Sequence, residues 1–199
     1  MASPRTRTPP RVARLAWGGI LGPALFLLAW TTAGTRTQGY SPVEQAISEL
    51  AGVHAPTRWL MSAGFACFGV AVLAFSVALR ETLGGRAWLA CAVTGAATLG
   101  AGAFALDASP TIDLVHVAFA GTGYVSLALA PMLAAQPLAA RGHRRAATAS
   151  RLVGALVGAC LLATALVSAD GLLQRTGLTL GHAWLAACAV AIIRAGRHG

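Results

Sequence analysis

Six long apolar segments constrain this chain more than any other feature: residues 15–33, 59–79, 87–106, 114–136, 152–169 and 177–193. Each is near the roughly 20 residues that a helix needs to cross a bilayer. A backbone N–H or C=O in lipid has no water to bond, so each segment must satisfy its own hydrogen bonds, as a helix does. The composition agrees, with 56% hydrophobic and 11% charged residues, where a soluble domain carries about 25% charged residues. The pattern predicts an all-α integral membrane bundle of six transmembrane helices. The segments are rich in small residues, as in "VTGAATLGAGAFA" (93–105), which let transmembrane helices approach closely. The Gly154-x-x-x-Gly158 spacing is read as internal packing rather than a dimer face. Cys67, Cys91, Cys160 and Cys188 sit singly in apolar runs and are read as small hydrophobes.

Residues 1–14 are expected to form a basic cytoplasmic tail, 15–195 a single six-helix transmembrane domain, and 196–199 a second cytoplasmic tail. The apolar run at 15–33 is long for the core of a signal peptide and no A-x-A site follows it, so it is expected to stay as the first span. The formal charge is +9, carried by Arg with no Lys at all. Arg5, Arg7, Arg11, Arg14, Arg80, Arg86, Arg141, Arg144, Arg145, Arg151, Arg194 and Arg197 fall on one side of the spans; Arg36, Arg58 and Arg175 fall on the other. By the positive-inside rule this predicts an inner (cytoplasmic) membrane protein with both termini cytoplasmic. The bilayer is then the expected partner, with the arginines touching anionic headgroups. A nucleic-acid partner is not expected, because no basic domain stands outside the membrane.

The acids take the other side. Glu44, Glu49, Asp107, Asp113 and Asp170 join His54, His116 and His182 toward the outer half, leaving only Glu81 behind. Three loops carry them: "GYSPVEQAISELAGVH", "LDASPTIDLVH" and "ADGLLQRTGLTLGH". Ionisable groups at membrane depth are costly and point to function. In the first loop, Ser41-Pro42-Val43-Glu44 reads as a capping box with Pro at the first helical position. It predicts a short interfacial helix over 42–51, with Glu44 as cap partner. Glu49 would lie at the unfavourable end of that helix dipole and is expected to be held by Arg58 or Arg175. In the second loop, Ser109-Pro110 opens the fourth span, and Asp113 stands three residues before His116, a spacing that can fix the imidazole tautomer. In the third, Asp170 is expected to end the fifth helix and Arg175 to precede the sixth, with a loop salt bridge between them as the ordinary alternative to a site. His182 is placed about two turns into the last helix, where it needs a partner.

The block "YSPVEQAISEL", the Asp-to-His loop and "GLLQR" before the last span together resemble the bacterial membrane family known only as domain of unknown function 998. The resemblance covers nearly the whole chain as six spans, and implies that Tyr40, Ser41, Ser48, Glu49, Asp107, His116, Gln174 and Arg175 are its motif positions. More distantly, the chain is similar in type to small integral-membrane terpene cyclases, compact bundles that use carboxylates to start cyclisation of a prenyl chain. It is also similar in type to the membrane hydrolases that include alkaline ceramidases. Those carry H-x-x-x-H on the last span, where this chain has His182 alone.

These residues lead first to a membrane-embedded enzyme, most concretely a proton-initiated terpene cyclase, acting on a lipophilic, isoprenoid-like substrate without cofactor. A buried carboxylic acid stays protonated at neutral pH and can donate. Glu49 or Asp107 is the expected acid, with His116, Tyr40 or His182 orienting it or taking the last proton. Trp30, Trp59, Phe65, Phe104, Phe119, Tyr124 and Trp184 are the candidate aromatic wall for a cation, with Ser48, Asp113, Gln174 and Arg175 completing the pocket. A second possibility is a zinc lipid hydrolase with His116, His182 and Asp107 or Asp113 as ligands. A third is a non-enzymatic lipid-binding, transport or accessory protein.

Overall fold

The structure, a computed structural model, describes residues 9–164, 166 and 169–197. The described residues are helical apart from connecting turns and one 3-10 turn. In order these are α1 (Pro10–Ala16), α2 (Gly18–Arg36), the 3-10 turn (Ile47–Ala51), α3 (Arg58–Thr82), α4 (Ala87–Ala103), α5 (Pro110–Ala140), α6 (Arg144–Thr164) and α7 (Asp170–Arg197). α1 and α2 run on as one span, Pro10–Arg36, broken only at Trp17. That span and α3, α5, α6 and α7 are long and apolar enough to cross a bilayer; α4 is apolar but has 17 residues. At about 1.5 Å per residue α4 rises roughly 25 Å, a little short of the ~30 Å hydrocarbon core.

Each helix packs on its neighbour in sequence, and α7 closes the ring against α1 and α2. The interior is built from Phe26, Phe65, Phe68, Phe75, Leu127 and Leu185, all buried. Leucines cover the outside, among them Leu28, Leu114, Leu156 and Leu162, each more than half exposed. In water such a coat would be a liability; against lipid it is the expected surface. Polar groups inside the bundle are paired between helices: Thr94 Oγ1 with Ser126 Oγ at 2.8 Å, and Trp184 Nε1 donating to Ser150 Oγ at 2.9 Å. This is a helical, multi-pass membrane bundle.

Several sequence expectations need correction. The helices of the first, second, fourth and sixth apolar segments overrun them at both ends, because a helix continues through the headgroup zone after hydropathy has fallen, whereas α4 stops at Ala103, short of the expected 106. The interfacial helix expected over 42–51 is a turn followed by the 3-10 turn. Asp170 opens α7 instead of closing the preceding helix, which puts Arg175 in the second turn of α7. His182 is therefore twelve residues along α7, roughly 18 Å by helix rise, not two turns in. Of the expected N-terminal tail, residues 1–8 lie outside the described residues and the rest is helical from Pro10. Residues 198–199 of the C-terminal tail and part of the segment 152–169 also lie outside them.

The α3–α4 crossing depends on two glycines that face each other. A Cβ on Gly95 would meet Gly69 O at 2.7 Å, and one on Gly69 would meet Gly95 O at 2.8 Å. In the sequence-singled pair on α6, a Cβ on Gly154 would meet Ala128 O of α5 at 2.7 Å, while Gly158 has nothing within 4 Å. Gly95→Leu is predicted to destabilise the bundle by about 1–3 kcal/mol through overpacking, read as a lower thermal midpoint in detergent. Gly158→Leu should leave the midpoint unchanged. Equal losses would contradict this packing.

Candidate functional site

The three polar loops are bonded directly to one another at the end of the bundle away from the termini. Val53 N donates to Leu106 O at 2.9 Å, joining the first loop to the second. Ile47 N donates to Gln174 Oε1 at 2.8 Å and Leu172 N to Val43 O at 2.9 Å, joining the first to α7. Arg175 is the centre of that junction. Its Nη1 faces Pro42 O at 2.8 Å, Gln45 O at 2.9 Å and Gly171 O at 2.8 Å, and its Nη2 donates to Tyr40 Oη. The guanidinium lies 5.0 Å from the Trp30 ring centre and 5.5 Å from that of Tyr40. So the Nη groups of a buried cation are met by carbonyls and a phenol and its face by two rings, the kind of acceptors a desolvated guanidinium needs; its Nε is buried without a partner among the described residues. Neither Asp170 nor Glu49 pairs with it; among the described residues the ion pair found is Arg11–Glu81 at 3.8 Å. Gly171 makes the junction possible, since a Cβ there would meet Gln45 O at 2.3 Å and Pro42 O at 2.7 Å.

Tyr40 Oη also donates to the backbone, toward Ala46 O at 3.0 Å and Gln45 O at 3.3 Å. Burial raises its pKa above the ordinary phenol value, against the pull of Arg175. It therefore remains a protonated donor at physiological pH and serves as a structural pin.

The carboxylates do not occupy the buried positions expected of them. Glu49 is exposed; its Oε1 accepts from Ala46 N at 2.9 Å and its Oε2 from Gln45 Nε2 at 2.7 Å. Ala46 has no side-chain acceptor to return the bond, so this is half of a capping box, and Glu49 is the cap of its own turn. Arg58 instead lies over the Trp59 ring at 5.0 Å. Ser41 does cap a turn, its Oγ accepting from Glu44 N at 3.4 Å, but the return bond is made by Gln45 instead of the exposed Glu44 side chain: Ser41 N donates to Gln45 Oε1 at 2.7 Å. Asp107 is exposed too and has φ +66°, a left-handed backbone uncommon outside glycine. Asp113 Oδ1 accepts from Asp107 N at 2.9 Å, so Asp113 steadies that bend rather than His116. Tyr40, Glu49, His54 and Asp107 share an open polar cleft of about 360 Å³.

The 3-10 turn is a partition. Glu49 looks into that cleft, while Ile47 and Ser48 line a separate inner cavity of about 50 Å³. Its walls are Phe26, Phe65, Phe68, Phe119, Leu127 and Leu178, with Thr94, Thr98, Tyr124, His116 and His182 among them. His116 is buried on α5, and its Nδ1 is 2.9 Å from Ala101 O and 2.8 Å from Phe104 O. Carbonyls only accept, so Nδ1 carries the proton and Nε2 holds a lone pair. The contact also caps the C-terminal carbonyls of α4, which have no partner within their helix. Among the described residues no group hydrogen-bonds His116 Nε2 or His182 Nε2, and both atoms are buried. His182 is held by rings instead, edge-on to Phe26 at 5.9 Å and against Phe68 at 4.8 Å. The threonines are satisfied within the protein: Thr94 with Ala90 O and Ser126, Thr98 with Thr94 O.

The remaining candidates scatter. Phe104 stacks on Phe119 at 5.7 Å, behind the cavity. Trp30 belongs to the Arg175 junction. Trp59 is 78% exposed, and Trp184 is bound to Ser150 in the other half of the bundle; neither faces the cavity. The zinc set is not assembled either, since no three His, Cys, Asp or Glu side chains among the described residues are placed to share one ion. Residues missed by inspection include Phe26, Phe68, Thr94 and Thr98, whose only signal was two hydroxyls four apart in an apolar run. A second cleft, about 260 Å³, opens between α5, α6 and α7 and is lined by Val157, Cys160, Leu161 and Gly177. It shares Tyr124 and Leu178 with the inner cavity.

A ring of apolar helices closed at one end by a hydrogen-bonded loop cluster, over a small cavity with two histidines, defines a multi-pass membrane protein with an internal polar site. Residues 20–191 match the family described as Protein of unknown function (DUF998), and the chain belongs to that family. No curated protein and no solved structure matches it.

Arg175→Ala strands the carbonyls of Pro42, Gln45 and Gly171, and is predicted to cost about 2–3 kcal/mol. Backbone amides of 40–47 should then exchange faster in hydrogen-exchange mass spectrometry. Asp170→Asn, which removes no ion pair here, should leave exchange in 40–47 unchanged.

Proposed function

We propose that this protein is a membrane-embedded enzyme that takes a lipophilic, hydroxyl-bearing molecule from the bilayer and uses His116 as general base toward that hydroxyl. One observation carries the proposal: two buried imidazole Nε2 atoms without a protein partner line one aromatic-walled cavity. A lone pair in such surroundings calls for a donor from a ligand. An O–H at the end of an apolar chain, isoprenoid-like or acyl, supplies one. His116 accepts that proton while Nδ1–H stays on the α4 carbonyls, which favour the imidazolium that forms. His182 is the second polar atom at the hydroxyl, and Tyr124 stands where the cavity meets the cleft between α5, α6 and α7. That cleft suits the chain, so substrate enters sideways from lipid. Cavity and cleft together approach the ~300 Å³ at the small end of ligand pockets.

Acid-initiated cyclisation has less support than it had from sequence, because Glu49 and Asp107 are exposed and the Glu49 carboxylate already caps its own turn. Proton removal is the part of that chemistry the cavity residues suit. The arginine distribution supports a cytoplasmic-membrane location with both termini cytoplasmic, and so a site in the outer leaflet.

The test is mass spectrometry of lipids that stay bound through purification of wild type, His116→Phe and His182→Phe. The proposal expects a hydroxyl-bearing lipid enriched on the wild type and reduced at least tenfold on both variants. Identical lipid profiles in all three would refute it.

A further inference from the structure

At the termini end, a cleft of about 560 Å³ lies among the ends of α1, α3, α5, α6 and α7, remote from the histidine cavity. Its wall is apolar: Val12, Leu79, Leu83, Leu138 and Ile192. Its rim carries Arg141 and His143. Arg141 is exposed, and its Nη1 donates to Thr82 O at 2.8 Å, which fixes the guanidinium at the mouth. His143 follows Gly142, a turn residue at φ +82°, and is exposed beside it. Glu81 also lines the cleft; it is the chain's one acid at this end, and Arg11 stands 3.8 Å from it. Arg80, Arg86, Arg144, Arg145 and Arg194 add positive charge at the same end.

An apolar trough with a cationic lip fits one class of molecule in a bilayer. We infer that this cleft is a binding site for an anionic phospholipid, its acyl chain along the apolar wall and its phosphate on Arg141 and His143. The charge balance at this end chooses an anionic headgroup over a zwitterionic one, and arginine presents the fork that phosphate oxygens match. The inference is independent of the reaction proposed above, because none of its residues lines the histidine cavity.

Full-length protein is placed in nanodiscs of phosphatidylglycerol and phosphatidylcholine in equal parts, re-extracted into detergent, and its retained lipid counted by native mass spectrometry. About one phosphatidylglycerol per chain is expected, in at least fivefold excess over phosphatidylcholine. Arg141→Gln with His143→Gln should bring the ratio to parity without moving the thermal midpoint, both residues being exposed. Ala191→Phe, which narrows the trough, should lower retention with the rim intact. Equal retention of the two lipids by wild type would overturn the inference, as would an unchanged ratio in the double variant. So would selective retention appearing only after removal of residues 1–8, since the cleft would then belong to the chain's own N-terminus.

Discussion

One guanidinium sets the geometry of the outer end of this bundle. Arg175 enters from α7 and is surrounded by carbonyls of the 37–57 loop, the phenol of Tyr40 and the ring of Trp30. A buried cation without a carboxylate is expensive unless its N–H groups are met. Here its Nη groups are met by the loop, while its buried Nε has no hydrogen-bond partner among the described residues. Carbonyls at Pro42 and Gln45 are drawn to one point, Gly171 leaves room for them, and the Ile47–Ala51 turn is pressed onto the bundle with Ile47 and Leu50 buried. Gln174, one residue away, holds the start of that turn. Lysine would not reproduce this arrangement: one ammonium could face the three carbonyls that Nη1 faces, but it has no second nitrogen for Tyr40 Oη and no planar face for Trp30.

The turn so placed divides the polar residues by function. The acids and Tyr40 are left on the other side of it from the inner cavity, with Glu49 and Asp113 accepting from backbone N–H groups. The imidazoles of His116 and His182 lie inside, among phenylalanines, while His54 stays with the acids. A carboxylate would be costly in such a cavity, whereas a neutral imidazole is tolerated, particularly one whose N–H is already used by a helix end. The inside of the bundle is therefore suited to accept a proton or a hydrogen bond, and not to donate a strong acid proton.

Much of the fold was legible in sequence because hydropathy and the need to satisfy the backbone in lipid leave helix as the one outcome for each apolar run. Helix ends were not, since the first turns of α7 are polar in composition yet helical. There Leu172 faces outward while Arg175 is buried, an inside-out amphipathic turn that hydropathy reads as loop. The motif block around Tyr40 was recognisable, but its bonding only in part: Ser41 Oγ accepts from Glu44 N as a capping box requires, yet Ser41 N is served by Gln45 instead of the Glu44 carboxylate, and Glu49 by its own turn instead of an arginine. Asp113 and His116 share a face by spacing, yet their partners lie on the preceding connection and on α4. Such choices depend on what the rest of the chain brings near, which local spacing does not carry.

The proposed chemistry turns on His116 holding its proton on Nδ1 and a free lone pair on Nε2. Side-chain nitrogen NMR of ¹⁵N-histidine-labelled protein in nanodiscs at pH 7, with His116→Phe to assign the signal, measures this directly. One protonated nitrogen and one imine-type nitrogen are expected for His116, the latter shifting when a lipophilic alcohol is added. Two protonated nitrogens, or a proton on Nε2, would contradict it.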